Sequence, residues 1–271
     1  KTALNFSALY KGVLHLGANL NFHKLEYHSD QNFFESNQNP DSQVYNIEFM
    51  NGISSFGEGI SAQIGVILKL KKLRLGLTYD SPQYIEIIDE TKQSLSSVYL
   101  DQGSVVKETV DPNMLNTYDP YQIKLPSKTT LSAAYIFGVS GLISLDYSTQ
   151  NAAKTVLSRQ GGSGYLDDLS NLLPTTFESI QTLKIGGEYR LKDISLRAGF
   201  LSRNNAQKSI NSSDQAITFG VGLDFGSNSL SLSFVQLNEN KEFQIFSEGL
   251  TDPYTLSNAI TQVSLSYNIK L

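Results

Sequence analysis

Four of the six charged residues in LKIGGEYRLKDISLRAGF, residues 183–200, fall on its polar face: Lys184, Glu188, Arg190 and Arg197. A carboxylate among three cations could steer a ligand carboxylate, hold a plug, or close on itself as an ion-pair network. The network is favoured: in lipid each charge would cost up to about 2–4 kcal/mol at mid-membrane, so such groups must face inward whatever the function. Lys69 and Arg74 read the same way. The three histidines, His15, His23 and His28, lie in one segment. His15 and His23 are separated by roughly 26 Å in an extended strand and cannot share a metal. No histidine–glutamate pair has helical metal spacing, and no Gly-x-Ser-x-Gly elbow occurs, so no enzyme chemistry and no cofactor is expected. The acidic clusters EIIDE (86–90) and DPN (111–113) lack calcium-loop spacing and read as solvated loops. Asn211-Ser212-Ser213 matches a glycosylation triplet, a pattern common by chance.

The elements that position these charges are strands. Leu183, Ile185, Gly187 and Tyr189 alternate with Lys184, Gly186, Glu188 and Arg190; the pattern resumes at Ile194 beyond a turn at Leu191-Lys192-Asp193. A period of two marks a strand with unlike faces. If Tyr189 and Ile194 oppose each other across the turn, Glu188 faces Ser195 and lies diagonal to Arg197. His15 likewise alternates with Leu14 and Leu16.

About eleven such segments occur, near 2–10, 13–29, 43–69, 73–89, 121–138, 142–150, 179–190, 194–203, 214–225, 229–238 and 259–271. The third is expected to bend or bulge at NGISSFGEG (51–59). Short turns at 11–12, 71–72, 138–141, 191–193 and 226–229 alternate with long connections near 30–42, 90–120, 151–178, 204–213 and 239–258. Alternating short and long connections mark an outer-membrane barrel. Tyr10, Tyr79, Tyr84, Tyr121, Phe137, Tyr147, Phe200, Phe225 and Tyr267 fall near segment ends, as an aromatic girdle would. A soluble β-sandwich shares the binary pattern, but loop asymmetry, strand length and the terminal strand favour the barrel.

Composition agrees. The 271 residues carry a net charge of −5 and no cysteine. No basic stripe points to nucleic acid, and no disulfide framework exists. No apolar run is long enough for a transmembrane helix, which leaves closed barrels open. In such barrels the last strand runs toward the periplasm. Eleven strands then put Lys1 outside, so an odd number of further strands is expected before it. The expected fold is all-β: a transmembrane antiparallel β-barrel, with residues 1–271 its C-terminal portion.

One segment differs. In GYLDDLSNLLP (164–174), Leu166, Leu169 and Leu173 recur at helical spacing, and Pro174 is expected to stop the helix. Such a helix could roof the barrel mouth and offer an apolar groove to a ligand or partner, or pack on itself to stabilise its loop.

FGEGISAQIGVILKLKKLRLGLTYDSP (56–82), YDPYQIKLPSKTTLSAAYIFGVSGLISLDYS (118–148) and LKIGGEYRLKDISLRAGF (183–200) resemble the C-terminal two thirds of the FadL/TodX family of outer-membrane transporters for hydrophobic compounds, in its Bacteroidetes form; the terminal VSLSYNIKL is compatible. The resemblance implies fourteen strands with an N-terminal hatch in the lumen, hence three strands beyond the eleven seen. The hatch and its Asn-Pro-Ala start have no counterpart here, and the chain ends on Leu271 where such barrels often carry an aromatic residue. It implies an outer membrane of a Gram-negative bacterium, and passive uptake of hydrophobic compounds such as long-chain fatty acids. The second reading is an accessory barrel in a larger outer-membrane assembly, and the third a soluble binding module. Expected partners are outer-membrane lipid, a hydrophobic small molecule and other outer-membrane proteins. The candidate lumen-lining residues are His15, Lys69, Arg74, Lys184, Glu188, Arg190 and Arg197.

Overall fold

Alternating apolar and polar residues give extended chain two unlike faces, and hairpin turns fold successive strands side by side. The computed structural model describes residues 1–39, 41–162, 164–210, 212–243 and 252–269. Its strands are β1 Thr2–Tyr10, β2 Leu14–Ser36, β3 Val44–Leu70, β4 Leu73–Asp80, β5 Gln83–Asp101, β6 Ser104–Val110, β7 Asn116–Thr117, β8 Tyr121–Leu125, β9 Lys128–Ile136 and β10 Gly141–Asn151. After a short 3-10 helix, Ala152–Lys154, come β11 Val156–Ser158, helix α1 Gly164–Thr176, β12 Ser179–Leu191, β13 Ile194–Asn204, β14 Ser213–Asp224, β15 Asn228–Phe243 and β16 Tyr254–Ile269. All strands join one sheet, and every ladder is antiparallel. Asn211, Leu271 and residues 244–251 of the last long connection lie outside the described residues.

Three pairs of elements are single strands broken in the middle. β4 and β5 run in turn along β3, β9 and β8 run along β4 and β5, and β10 and β11 run along β9 and β8. With each pair taken as one, and β6 and β7 as a side extension, the wall among the described residues has eleven strands, the expected number. The breaks fall side by side. Asp80 pairs with Lys128 and Gln83 with Leu125, so Ser81-Pro82 lie across from Pro126-Ser127. Proline has no N–H to give a ladder, and two facing prolines interrupt it on both strands. Local bonds repair the rest: Ser81 N–H donates to Ala62 O (2.8 Å), Ala62 N–H to Ser81 Oγ (2.8 Å), and the Gln150 amide to Pro126 O (3.0 Å).

A sheet of this size in water would need a second layer over its apolar face. None is present among the described residues: the buried hydrophobic residues are Ile85, Ile87, Leu166 and Ala216. One apolar face runs unbroken across the wall, through Leu20, Ile64, Leu77, Leu131, Tyr147, Leu183, Phe200 and Ile217, with Ile64 59 % exposed. The buried polar residues Asn21, Ser61, Ser148 and Asp214 all lie on the other face, where the curling sheet crowds its side chains. Polar inside and apolar outside is the arrangement of a barrel wall in lipid. β1 and β16 each pair on one side, and among the described residues no ladder joins them.

Several expectations need correction. β3 is continuous through residues 51–59. Its glycines there admit neighbours: a Cβ on Gly59 would lie 2.8 Å from Ile85 Cγ1, and one on Gly57 3.2 Å from Ile87 Cγ1. The connections 30–42 and 90–120 are largely strand, since β2, β3, β5 and β6 continue as a tall sheet. Mixed polarity on both faces hid them. Tyr121 pairs with Ile87 on the inner face, so it is not part of an outer girdle. Pro174 lies within α1, and Phe177 N–H still closes a turn on Leu173 O (2.8 Å).

Candidate functional site

All seven candidate lumen residues fall on the concave polar face, at different heights. The β12–β13 register pairs Tyr189 with Leu196, so Glu188 stands directly opposite Arg197 and Ser195 opposite Arg190. This corrects the expected register: the two-residue turn Lys192-Asp193 lets Leu191 pair with Ile194. Arg197 Nε donates to Glu188 Oε2 at 2.7 Å, and Arg190 Nε donates to Glu188 Oε1. The Arg197 side chain lies flat along β14, because Gly220 and Gly222 leave it room; a Cβ on Gly222 would stand 3.3 Å from Arg197 Nη1. One carboxylate thus joins two guanidinium groups and leaves a net positive charge. Lys184 pairs with Asp146 across β10 and β12, whereas Lys69 faces Arg74 across β3 and β4, two like charges.

His15 lies beside Ile67, and its Nε2 is buried without a hydrogen-bond partner. It borders a cavity of about 290 Å³ whose polar walls include Asn19, Gln63 and Thr78. Above it runs a chain of polar contacts: Asn19 donates to Gln63 (2.6 Å), and Gln63 donates to Asp80. His23 and Asn21 both meet Ser61 Oγ, at 2.8 and 3.3 Å.

A second polar cavity, about 340 Å³, was not anticipated. Lys128, Gln150, Thr182, Arg203, Asp214 and Glu239 are among its walls. Arg203 grips Asp214 Oδ2 through Nε (3.1 Å) and Nη2 (2.6 Å), and Lys241 pairs with Glu239 at 2.8 Å. Lys128 makes no ion-pair contact among the described residues, although Asp80 stands opposite it on β4, so it is the cation of this site least committed to a carboxylate. Arg203 was legible, since it stands an even six positions from Arg197 on the same strand. Lys128 was obscured by the proline break just before it.

Beyond the break the inner face changes character. Ile85 pairs with Ile123 and Ile87 with Tyr121, while Leu157 pairs with Ile123 on its other side. Ile87 is 4 % exposed, the lowest value among the buried hydrophobics. The outward face here carries Glu58, Glu86, Gln122 and Lys124 instead. Burial, then the neighbouring Asp89 carboxylate, pushes the Tyr121 phenol up to about 12. Along β5, β8 and β11 the inner face is therefore apolar above the break, whereas below it the wall is polar inside.

Helix α1 docks on the 3-10 helix and β11, with Leu166 buried and Leu169 and Leu173 half-buried. Ser170 Oγ accepts Leu157 N–H (2.8 Å) and donates to Leu157 O (2.9 Å), so one hydroxyl serves the edge that lacks a strand.

The chain matches no protein-family profile and no curated protein by sequence. Solved structures are similar in fold. The P. putida toluene transporter TodX is 15 % identical with a TM-score of 0.62, over 99 % of this chain and 68 % of that one. A Pseudomonas aeruginosa FadL homologue is 13 % identical with a TM-score of 0.65, over 99 % and 67 %. The CymD monoaromatic hydrocarbon channel is 11 % identical with a TM-score of 0.57, over 99 % and 72 %. At these identities the likeness shows the shared β-barrel fold.

Proposed function

We propose that the chain forms most of an outer-membrane channel for passive uptake of hydrophobic compounds, such as long-chain fatty acids, in a Gram-negative bacterium of the Bacteroidetes type. The observation that carries this reading is the reversal of the inner face. An apolar lining at Ile85, Ile87 and Ile123 stands above a polar lumen with a cation at Lys128. An amphiphile would shed water from its chain on the first and settle an anionic head on the second. It would then leave sideways, through the break at Pro82 and Pro126, or inward. No chemistry and no cofactor is required. The solved structures described as hydrocarbon channels and a toluene transporter support uptake of apolar molecules in general.

β1 and β16 both run toward the short turns. Closing the wall with antiparallel pairs therefore takes an odd number of further strands, and the family's fourteen would supply three. The test is uptake of oleate by cells lacking their own transporter. Ile123→Asn is expected to reduce uptake severalfold with normal outer-membrane yield, because Ile123 is only half-buried and takes a polar side chain at little cost to the fold, and Lys128→Gln to weaken oleate uptake more than toluene uptake. Unchanged uptake in both would refute the reading.

A second reading is an accessory barrel in a larger assembly. It is favoured by the tall outer sheet, where Phe49, Leu95 and Val110 form one exposed row across three strands. Stable co-purification of a defined partner on that row, with a lumen that passes no ligand, would select it.

A further inference from the structure

The short-turn end of the wall carries features that transport through the lumen does not use. Three of its turns present lysines outward: Lys11, Lys71 with Lys72, and Lys192. Lys11, Lys71 and Lys192 hold left-handed φ values of 49°, 46° and 52°. That conformation suits glycine or asparagine and is disfavoured for lysine, so turn geometry alone does not select these residues. All four are exposed, and none forms an ion pair with a carboxylate among the described residues.

The other two short turns carry bare apolar side chains, Val139 at the tip of one and Phe225 at the foot of the other, whose own tip is Gly226-Ser227-Asn228. Val139 is 92 % exposed, and Phe137 and Phe225 are exposed as well. The rim thus sets four ammonium groups among bare apolar side chains, against two exposed carboxylates, Asp193 and Asp224. Its backbone is held firm: Lys69 N–H donates to Val13 O (2.9 Å), Ile136 N–H to Lys72 O (2.8 Å), Arg190 N–H to Ser140 O (2.7 Å) and Asp224 N–H to Asp193 O (2.8 Å). Only side chains are left to meet a partner. The opposite end has the opposite charge: beyond His23, the β2–β3 hairpin carries Glu26, Asp30, Glu35, Glu48 and Glu58 against Lys24.

We infer that this rim is a docking surface for anionic phospholipid headgroups of the leaflet at the short-turn end. Apolar tips sink to the acyl boundary, lysine stems lie along it, and ammonium groups reach the phosphates. Charge complementarity selects an anionic over a zwitterionic lipid, and the acidic far end makes the preference one-sided. The inference rests on the membrane-spanning orientation, not on what the lumen carries.

The test compares thermal unfolding of the closed barrel, this chain together with the strands that complete it, in phosphatidylcholine vesicles with and without phosphatidylglycerol, at low salt. Phosphatidylglycerol is expected to raise the midpoint by about 5 °C or more, and salt is expected to abolish the shift. The variant Lys11→Gln/Lys71→Gln/Lys72→Gln/Lys192→Gln should melt as the wild type does in phosphatidylcholine but lose the shift. Lys24→Gln/Lys107→Gln, at the other end, should keep it. Should the fourfold variant fail to fold, Lys71→Gln/Lys72→Gln and Lys192→Gln alone are each expected to lose part of the shift. A shift that survives the substitutions, or a wild type without one, overturns the proposal and leaves the rim to an anionic protein.

Discussion

At the scale of single residues, Glu188 joins Arg190 to Arg197. Its removal leaves two like charges on neighbouring strands of one wall. The guanidinium groups are half-exposed in a wet lumen, so the cost is small: Glu188→Gln is expected to destabilise by about 1 kcal/mol, read as a lower unfolding midpoint that high salt narrows. Gly222→Val acts on the same group by volume, because it fills the trough in which Arg197 lies. Tyr121 gives a pH dependence outside the membrane band. Its folded pKa is about 12 against an ordinary 10.0. Above the ordinary value the unfolded chain ionises this phenol while the folded chain keeps it protonated, so stability falls as pH rises from 10 toward 12. Tyr121→Phe is expected to flatten that part of the curve in chemical denaturation series.

At the scale of elements, β12 and β13 divide lipid from lumen by parity alone. Ile185 and Leu196 face outward, Gly186 and Ser195 inward. Arginine at Ile185 is expected to cost about 2–4 kcal/mol, as near mid-membrane, and at Leu196, closer to the turn, about 1 kcal/mol, both lowering outer-membrane yield; arginine at Gly186 or Ser195 is expected to cost far less. Equal tolerance on both faces would refute the orientation. The same parity explains what the sequence discloses. Segments such as 2–10 and 194–203 could be read to within a residue, because one clean face meets lipid and the turns between them are short. The extensions of β2, β3 and β5 were not legible: above the membrane both faces are mixed, as at Asp30-Gln31-Asn32-Phe33-Phe34, and the period of two fades. Pairings were less legible still. The lysine turn at 192–193 fixes which residue faces Glu188, and hydrophobicity carries no information about turn length. Leu166, Leu169 and Leu173 were readable as one helical face, but the edge-capping role of Ser170 depends on where β11 ends.

At the scale of the whole molecule, the antiparallel wall has, among the described residues, one place where three neighbouring strands break together. Pro82 faces Pro126, and the 3-10 helix at residues 152–154 continues the line. A barrel in lipid ordinarily leaves no backbone group without a partner. Here two prolines remove donors, while a serine hydroxyl and a glutamine amide supply bonds that the ladder does not. The interruption therefore weakens cross-strand attachment without leaving the local backbone unserved. It also sits where the inner face turns from polar to apolar, so a molecule held at Lys128 has the seam beside it. If the seam is the sideways exit, tying it shut must slow uptake while leaving the fold intact. The chain has no cysteine, so Ser81→Cys/Ser127→Cys introduces its sole thiols across the seam. Oleate uptake by the oxidised variant is expected to fall severalfold and to recover on reduction, with the unfolding midpoint unchanged or raised. Full uptake with the disulfide formed would place the exit elsewhere and leave the prolines a role in shaping the wall alone.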